Sequence, residues 1–188
     1  STTVSPMTAT GRLIKAMDPE AVCVFIGPCI AKKGEVIDSI TYGGADYAMT
    51  YEELASMFEA KNIDPADFEG EMQQGSVFGM EFSVSGGVTN AVLSTFKERN
   101  EEIDVKVCRA NGALECKKAL MMLKAGKLPE DFIEGMACVG GCVNGPAMIN
   151  KSRTYMKDRN TQIKQADSRG VLENCAKYDD LEFSMVRK

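Results

Sequence analysis

Two cysteines, Cys138 and Cys142, stand in a glycine-rich turn that runs Cys138-Val-Gly-Gly-Cys-Val-Asn-Gly-Pro146, directly after an apolar stretch at 132–137. Residues 132–137 have the makings of a short buried strand end, and Gly140, Gly141 and Gly145 open backbone conformations that a Cβ resists. A Cys-x-x-x-Cys spacing with glycines between lets both thiolates turn toward one centre. Successive backbone N–H groups, those of Gly140 and Gly141 among them, then face the same anionic object. A soft, multi-thiolate metal site fits that geometry. A third thiol, Cys29, lies in Gly27-Pro-Cys-Ile-Ala-Lys-Lys-Gly-Glu35, just past the β-branched run at 21–26. This is a loop at a carboxyl strand end, where α/β proteins bind ligands. Its Lys32 ammonium is placed either to lower the pKa of Cys29 or to face one anionic ligand with it. A solvated surface loop is the alternative. The segment is not a phosphate loop, because it lacks a Gly-Lys-Ser/Thr ending and Pro28 removes a backbone N–H.

The rest of the composition narrows the chemistry. There is no histidine in the 188 residues, which removes Ser-His-Asp and Cys-His catalysis, imidazole-bound zinc and His-ligated haem. Seven cysteines, an odd number, argue against a complete disulfide framework and for a reducing, cytoplasmic setting. Of the four outside the two loops, Cys23, Cys108 and Cys116 read as packing residues and Cys175 as an incidental thiol. The net charge of −5 and the lack of any basic block make nucleic acid a poor partner. No apolar run approaches the roughly 20 residues of a membrane span, and no signal segment opens the chain. A first residue of Ser leads us to expect a processed or trimmed chain with sequence missing upstream. Among twelve methionines, Met80, Met136 and Met148 are candidates to lie near a cofactor, although gap-filling core is the commoner use.

The positioning elements follow in order. Ser5-Pro6 opens a helix at 7–16 with apolar Leu13, Ile14 and Met17 on one side. Residues 21–26 form a strand covered on both faces, and 45–50 form another. Thr50 and Glu53 make a capping box for a helix at 51–60. A polar connection spans 62–79, and Ser85-Gly-Gly87 starts a helix at 88–97, where the paired glycines are a weak candidate anion site. A strand at 104–109 leads into a helix at 113–124 with Leu114, Ala119, Leu120 and Leu123 inward. The predicted class is α/β, a mostly parallel sheet with flanking helices. It occupies residues 1–150, with 151–188 as a helical tail or lid.

With the segments at 27–35 and 136–142 both in view, the chain resembles the [FeFe]-hydrogenase H-cluster domain, specifically its carboxyl-terminal half. Asp46-Tyr-Ala-Met-Thr-Tyr-Glu-Glu-Leu54, Ser85-Gly-Gly-Val88 and Asp131-Phe-Ile-Glu134 also look like family segments, in the family's order. The resemblance implies one lobe of that domain and its cofactor: a four-iron, four-sulfur (4Fe-4S) cluster on four cysteines, one of which bridges to a two-iron subcluster bearing carbon monoxide and cyanide. By position Cys29 and Cys138 resemble cubane ligands and Cys142 the bridging one. Lys32 resembles the donor to a cyanide, Met136 the methionine packed on the two-iron unit, and Glu35 an acid of the motif with a conceivable part in proton movement. The three thiols are expected to converge at one sheet edge.

Three departures accompany the match. The first cysteine motif is absent and expected upstream of Ser1, Gly27 replaces a methionine, and Val-Asn-Gly-Pro stands where the family ends in Gly-Gln-Pro. They resemble the divergent, sensory-type branch. The implied function is the iron–sulfur-binding portion of an anaerobic, cytoplasmic hydrogenase that catalyses or senses reversible hydrogen oxidation. Its implied partners are the upstream segment and a redox or signalling domain. The alternative is a hydrogenase-like iron–sulfur binding or assembly module without hydrogen chemistry.

Overall fold

The computed structural model describes residues 2–40, 43–70, 75–149 and 154–187, and the chain divides into two compact units. The first takes 1–70, 146–149 and 178–188, the second 71–145 and 150–177.

In the first unit, Ser5 Oγ accepts from Thr8 N at 3.3 Å and Pro6 opens α1 (Pro6–Met17), as the sequence leads one to expect. Strand β1 (Val24–Ile26) pairs in parallel with β2 (Tyr47–Met49), Phe25 opposite Ala48, and α2 (Ala31–Ile40) makes the crossover between them. Thr50 and Glu53 form the capping box of α3 (Tyr51–Ala60). The core gathers Met7, Cys23, Val36 and Ala45, with Phe25 and Ala48 packed on it, so Cys23 has the packing role that its apolar surroundings imply.

The apolar side of α1 is not its buried one, and one expectation fails here. The inward face of α1 is Met7, Thr8, Gly11 and Arg12, while Ile14 and Met17 are 39% and 61% exposed. The cause is Gly11, whose bare Cα sits against the Gly44–Ala45 backbone, a closeness that a larger residue forbids. Strand β1 is not covered on both faces: strand alternation sends Phe25 to the core and leaves Val24 and Ile26 44% and 40% exposed. The unit also takes back the end of the chain. Buried Arg12 donates to the carbonyls of Ser184 and Val186, and Val4 N donates to Met185 O at 2.9 Å.

The second unit repeats the strand–helix–strand plan. Strand β3 (Val107–Asn111) and β4 (Phe132–Met136) pair in parallel, Val107 opposite Phe132 and Asn111 opposite Met136, with α6 (Ala113–Lys124) between them. Helices α4 (Val77–Glu81), α5 (Gly87–Glu98), α7 (Thr154–Lys164) and α8 (Val171–Ala176) complete it. Glu98 at the end of α5 supplies the cap of α8, accepting from Val171 N and Leu172 N at 2.9 Å each. The inner residue of α6 is Ala119, 5% exposed, whereas Leu114, Leu120 and Leu123 are 84%, 58% and 53% exposed. A small residue permits close approach, so the leucines expected inward face out. The structure is thus α/β with parallel strand pairs, and among the described residues no helix is long and apolar enough to cross a membrane.

Gly11 tests the first unit's packing. In an open helix interior, Gly→Ala gains about 1 kcal/mol, but a Cβ here would stand 2.7 Å from Ala45 N and Gly44 C. Overpacking of that kind costs about 1–3 kcal/mol. Gly11→Ala is therefore expected to lower stability to urea, and a variant more stable than the parent would show that the α1 contact yields freely.

Candidate metal centre

In the first unit the thiol loop grows out of β1. Gly27 N donates to Met49 O at 3.0 Å and Pro28 O accepts from Ala147 N at 3.1 Å, which pins both sides of the turn before Cys29. The chain then coils into α2, with Lys32 N reaching Cys29 O at 3.4 Å and Lys33 N reaching Ile30 O at 3.1 Å. Cys29 is half-buried. A Cβ at Gly27 would meet the Phe25 ring at 2.8 Å, so a side chain of the same strand fills the space at the position where the resembling motif carries methionine.

Lys32 Nζ forms an ion pair with Glu35 Oε2, one helical turn on. The other carboxylate oxygen accepts from Ser5 Oγ and from Thr8 Oγ1, the latter at 3.2 Å. Burial pushes the Glu35 carboxyl up, but the hydrogen bonds from Lys32 and Ser5 and the nearby ammonium charge outweigh it, and its pKa lies below the ordinary glutamate range. Neither Ser5 nor Thr8 carries a local signal of this role, because both are thirty or so residues from Glu35. Lys33 binds Glu53 on α3 at 2.6 Å instead.

In the second unit the turn begins where β4 ends. Gly112 N donates to Met136 O at 2.7 Å, and Asn111 Oδ1 accepts from Gly140 N at 2.7 Å, so the end of β3 holds the middle of the turn. The turn closes on itself through Gly141 N to Cys138 O at 3.0 Å and Gly145 N to Cys142 O at 2.9 Å. Gly140 and Gly141 have φ of 84° and 102°, which an L side chain rarely adopts. Gly145, at φ −58°, does not use the freedom assigned to it. Met136 is buried, Cys138 half-buried and Cys142 exposed. Asn144 Nδ2 donates to Val139 O at 2.9 Å and Asn144 Oδ1 accepts from Tyr155 OH, which ties the turn to α7. Nothing at the sequence level marks Asn111, Asn144 and Tyr155 as supports of this turn.

The donor set suits thiolate-bound iron. Two sulfurs share one five-residue turn whose glycines keep the backbone low, and the chain has no imidazole to compete. Cys29 belongs to the other unit. Among the described residues no three Cys, Asp or Glu side chains are gathered as they would be around a single metal ion. No disulfide joins any of the seven cysteines. Burial first, then the Glu130 and Glu115 carboxylates, raise the Cys108 thiol, and Cys116 Sγ lies 3.6 Å from Ala110 O. Both suit the packing role expected of them. The paired glycines at 86–87 do meet an anion, and it is the protein's own Glu134, which accepts from Gly86 N at 2.6 Å.

A family model for the C-terminal domain of the iron only hydrogenase large subunit matches residues 1–146. The chain is 34% identical to the periplasmic [Fe] hydrogenase large subunit of Nitratidesulfovibrio vulgaris, over 77% of this chain and 45% of that protein. It is 23% identical to a probable cytosolic Fe-S cluster assembly factor of Caenorhabditis elegans, over 95% of this chain and 48% of the relative. The chain thus spans less than half the length of these curated relatives. An [FeFe]-hydrogenase structure from a study of stepwise H-cluster assembly superposes with a TM-score of 0.66 at 21% identity, covering 93% of this chain and 63% of that one, a likeness of fold. The thiol-bearing turns after β1 and β4 lie inside the matched region, and the chain belongs to the C-terminal domain family of the iron-only hydrogenases.

Proposed function

We propose that Cys29, Cys138 and Cys142 are thiolate ligands of a 4Fe-4S cluster, that Cys142 also joins it to the two-iron subcluster of an H-cluster, and that the chain serves reversible hydrogen oxidation or its sensing. The observation that carries this reading is the Lys32–Glu35 pair. A cation sits one helical turn beyond a candidate thiolate, held by a carboxylate that Ser5 and Thr8 hold in turn. A plain cubane has no use for such a cation, whereas an iron unit bearing cyanide does. When bound, the two-iron unit would supply the heterolytic chemistry of hydrogen. This chain's part is to ligate, to orient and to exclude water. Lys32 offers a charge-assisted donor, and buried Met136 packs the strand end two residues before Cys138. The Gly140 and Gly141 segment lets the two thiolates approach one centre. The lowered pKa of Glu35 favours a fixed counter-charge for Lys32 over a proton carrier.

The fourth thiolate and a proton-relaying cysteine are assigned to an upstream segment, and a redox or signalling domain to the partner. A reducing, cytoplasmic setting agrees with seven cysteines and no disulfide, although one relative is named as periplasmic. The second reading, a binding or assembly module that keeps the cubane thiolates alone, is favoured by the assembly-factor relative that matches 95% of this chain.

Anaerobic reconstitution separates these readings from no metal binding at all. The 188-residue chain is expected to load iron and sulfide poorly, and a form carrying the first cysteine motif upstream to load them stoichiometrically. Equal, full loading of both would refute the three-thiolate scheme. In the longer form, Lys32→Ala is expected to keep the cubane's paramagnetic resonance signal and to weaken the infrared bands of carbon monoxide and cyanide, the lost charge-assisted contact being worth about 1.5–3 kcal/mol. The opposite pattern, bands kept and the cubane signal lost, would favour the binding-module reading.

The pair also has a pH signature. Because the folded-state pKa of Glu35 is depressed, its contribution to stability is present above the ordinary carboxylate range and is lost as the pH falls through it toward the lowered folded value. The Tm advantage of the parent over Glu35→Gln should be largest near neutrality and shrink between about pH 5 and pH 3. A difference that does not vary with pH would show that Lys32 and Glu35 are uncoupled.

A further inference from the structure

We propose that Glu134 is a positioning residue that sets the shape of the Cys138–Cys142 turn, an inference that deepens the reading of those two cysteines as iron ligands and rests on it for its functional meaning. Helix α5 starts at Gly87 after Gly86, which has φ 93° and no side chain to cap the first turn. Helices α1, α3 and α4 are capped locally, by Ser5, Thr50 and Ser76. Helix α5 is capped from β4, 45–48 residues away: Glu134 accepts from Gly86 N at 2.6 Å, from Thr89 N at 2.9 Å and from Thr89 Oγ1. Glu134 is 5% exposed and Thr89 1%. A buried carboxylate needs several donors to offset its lost hydration, and the unpaired N–H groups at a helix start provide them. Gly86 and Thr89 are therefore fixed relative to β4.

The residues just before that helix form the wall on which the cysteine turn closes. Ser85 N donates to Gly140 O at 3.3 Å, and Val143 N donates to Ser83 O at 3.1 Å. Gly141 lies so close that a Cβ would stand 2.5 Å from Ser83 O and Val84 Cα. Glu134 thus acts on the turn twice. Its strand leads covalently into Met136 and Cys138, and its carboxylate holds Gly86 and Thr89, which carry on from the residues 83–85 that close against Gly140, Gly141 and Val143. A side chain at position 86 could not take over the cap, because φ 93° is a backbone conformation that L residues rarely adopt, and a cap supplied from within the 83–89 segment would carry no link to the cysteines. A carboxylate on β4 carries one.

The test is Glu134→Gln in the 188-residue chain, followed by hydrogen–deuterium exchange without metal. An amide group replaces one acceptor oxygen by a donor and turns it on donors already in place. Exchange is expected to rise roughly tenfold or more at 139–145 as well as at 83–89, with 107–110 and 113–124 unchanged. Thr89→Ser, which keeps the hydroxyl, should match the parent, and Thr89→Val should give a smaller rise in the same two segments. If Glu134→Gln does not fold, Thr89→Val decides alone. Exchange that rises only at 86–89, rises evenly over both units, or stays unchanged overturns the inference. In the longer, cluster-loaded form, Glu134→Gln should change the cubane's paramagnetic resonance line shape at unchanged iron content; an unaltered line shape overturns it as well. A parent form that takes up no iron, while exchange responds as expected, sinks the metal reading and leaves the assignment of the turn standing.

Discussion

Two side-chain carboxylates, one in each unit, each accept from three donors and stand beside a thiol-bearing loop. Glu35 draws Ser5, Thr8 and Lys32 together at the start of α2. Glu134 draws in Gly86 and Thr89 at the start of α5. Such a group is costly to bury and expensive to leave short of donors, so the elements that feed it lose their freedom to slide. Such rigidity would matter more to a loop that holds a cluster, as proposed for these two, than to a core. Apolar packing tolerates small displacements, whereas thiolates that share one cluster must be held to fractions of an ångström.

The two loops also share an origin in topology. A parallel strand pair joined by a helix puts both carboxyl ends at one edge, and short loops leave from there. Cys29 follows the first strand of its pair and Cys138 the second of its own. Each loop is tied back to its neighbour strand by a backbone or side-chain bond: Gly27 N to Met49 O in one, Gly140 N to Asn111 Oδ1 in the other. The same local plan therefore places a cysteine after a parallel strand in each of the two units.

Much of this was legible in the sequence wherever the cause is local. The caps at Ser5 and Thr50, the helix at 113–124 and the placement of cysteines after strands rest on neighbours a few residues apart, and the structure has them. The inward faces of α1 and α6 escape the hydrophobic pattern because they are decided by a bare Cα at Gly11 and a small side chain at Ala119, and that pattern favours larger residues. The paired glycines at 86–87 marked an anion site without saying which anion fills it, and the pairing of Glu35 with Ser5 and Thr8 and of Glu134 with Thr89 left no mark. A contact across some 30 or 45 residues has no spacing rule, and Glu134 in an apolar strand reads as an anomaly until the helix that needs it is in place.

The departures from the family pattern around the last cysteine can be understood in the same terms. Aligned on Pro146, the expected Gly-Gln-Pro becomes Asn144-Gly145-Pro146, which moves the glycine one place along. Gly145 has φ −58°, a conformation open to any residue, so a glutamine there would meet no backbone obstacle. Asn144 lies in the short 3₁₀ turn Cys142–Asn144, and its φ is not among the positive values, so glycine is not required at that place either. What the exchange adds is contact. The Asn144 amide reaches Val139 O within the turn and accepts from Tyr155 on α7, two bonds that a glycine could not make. The turn that bears Cys138 and Cys142 is thereby fastened on three sides, to Asn111 at the end of β3, to the segment before α5 and to α7. Only the first of these ties comes from the strand pair itself, so the shape of the turn depends on helices that enter the unit from well before and well after it in the chain.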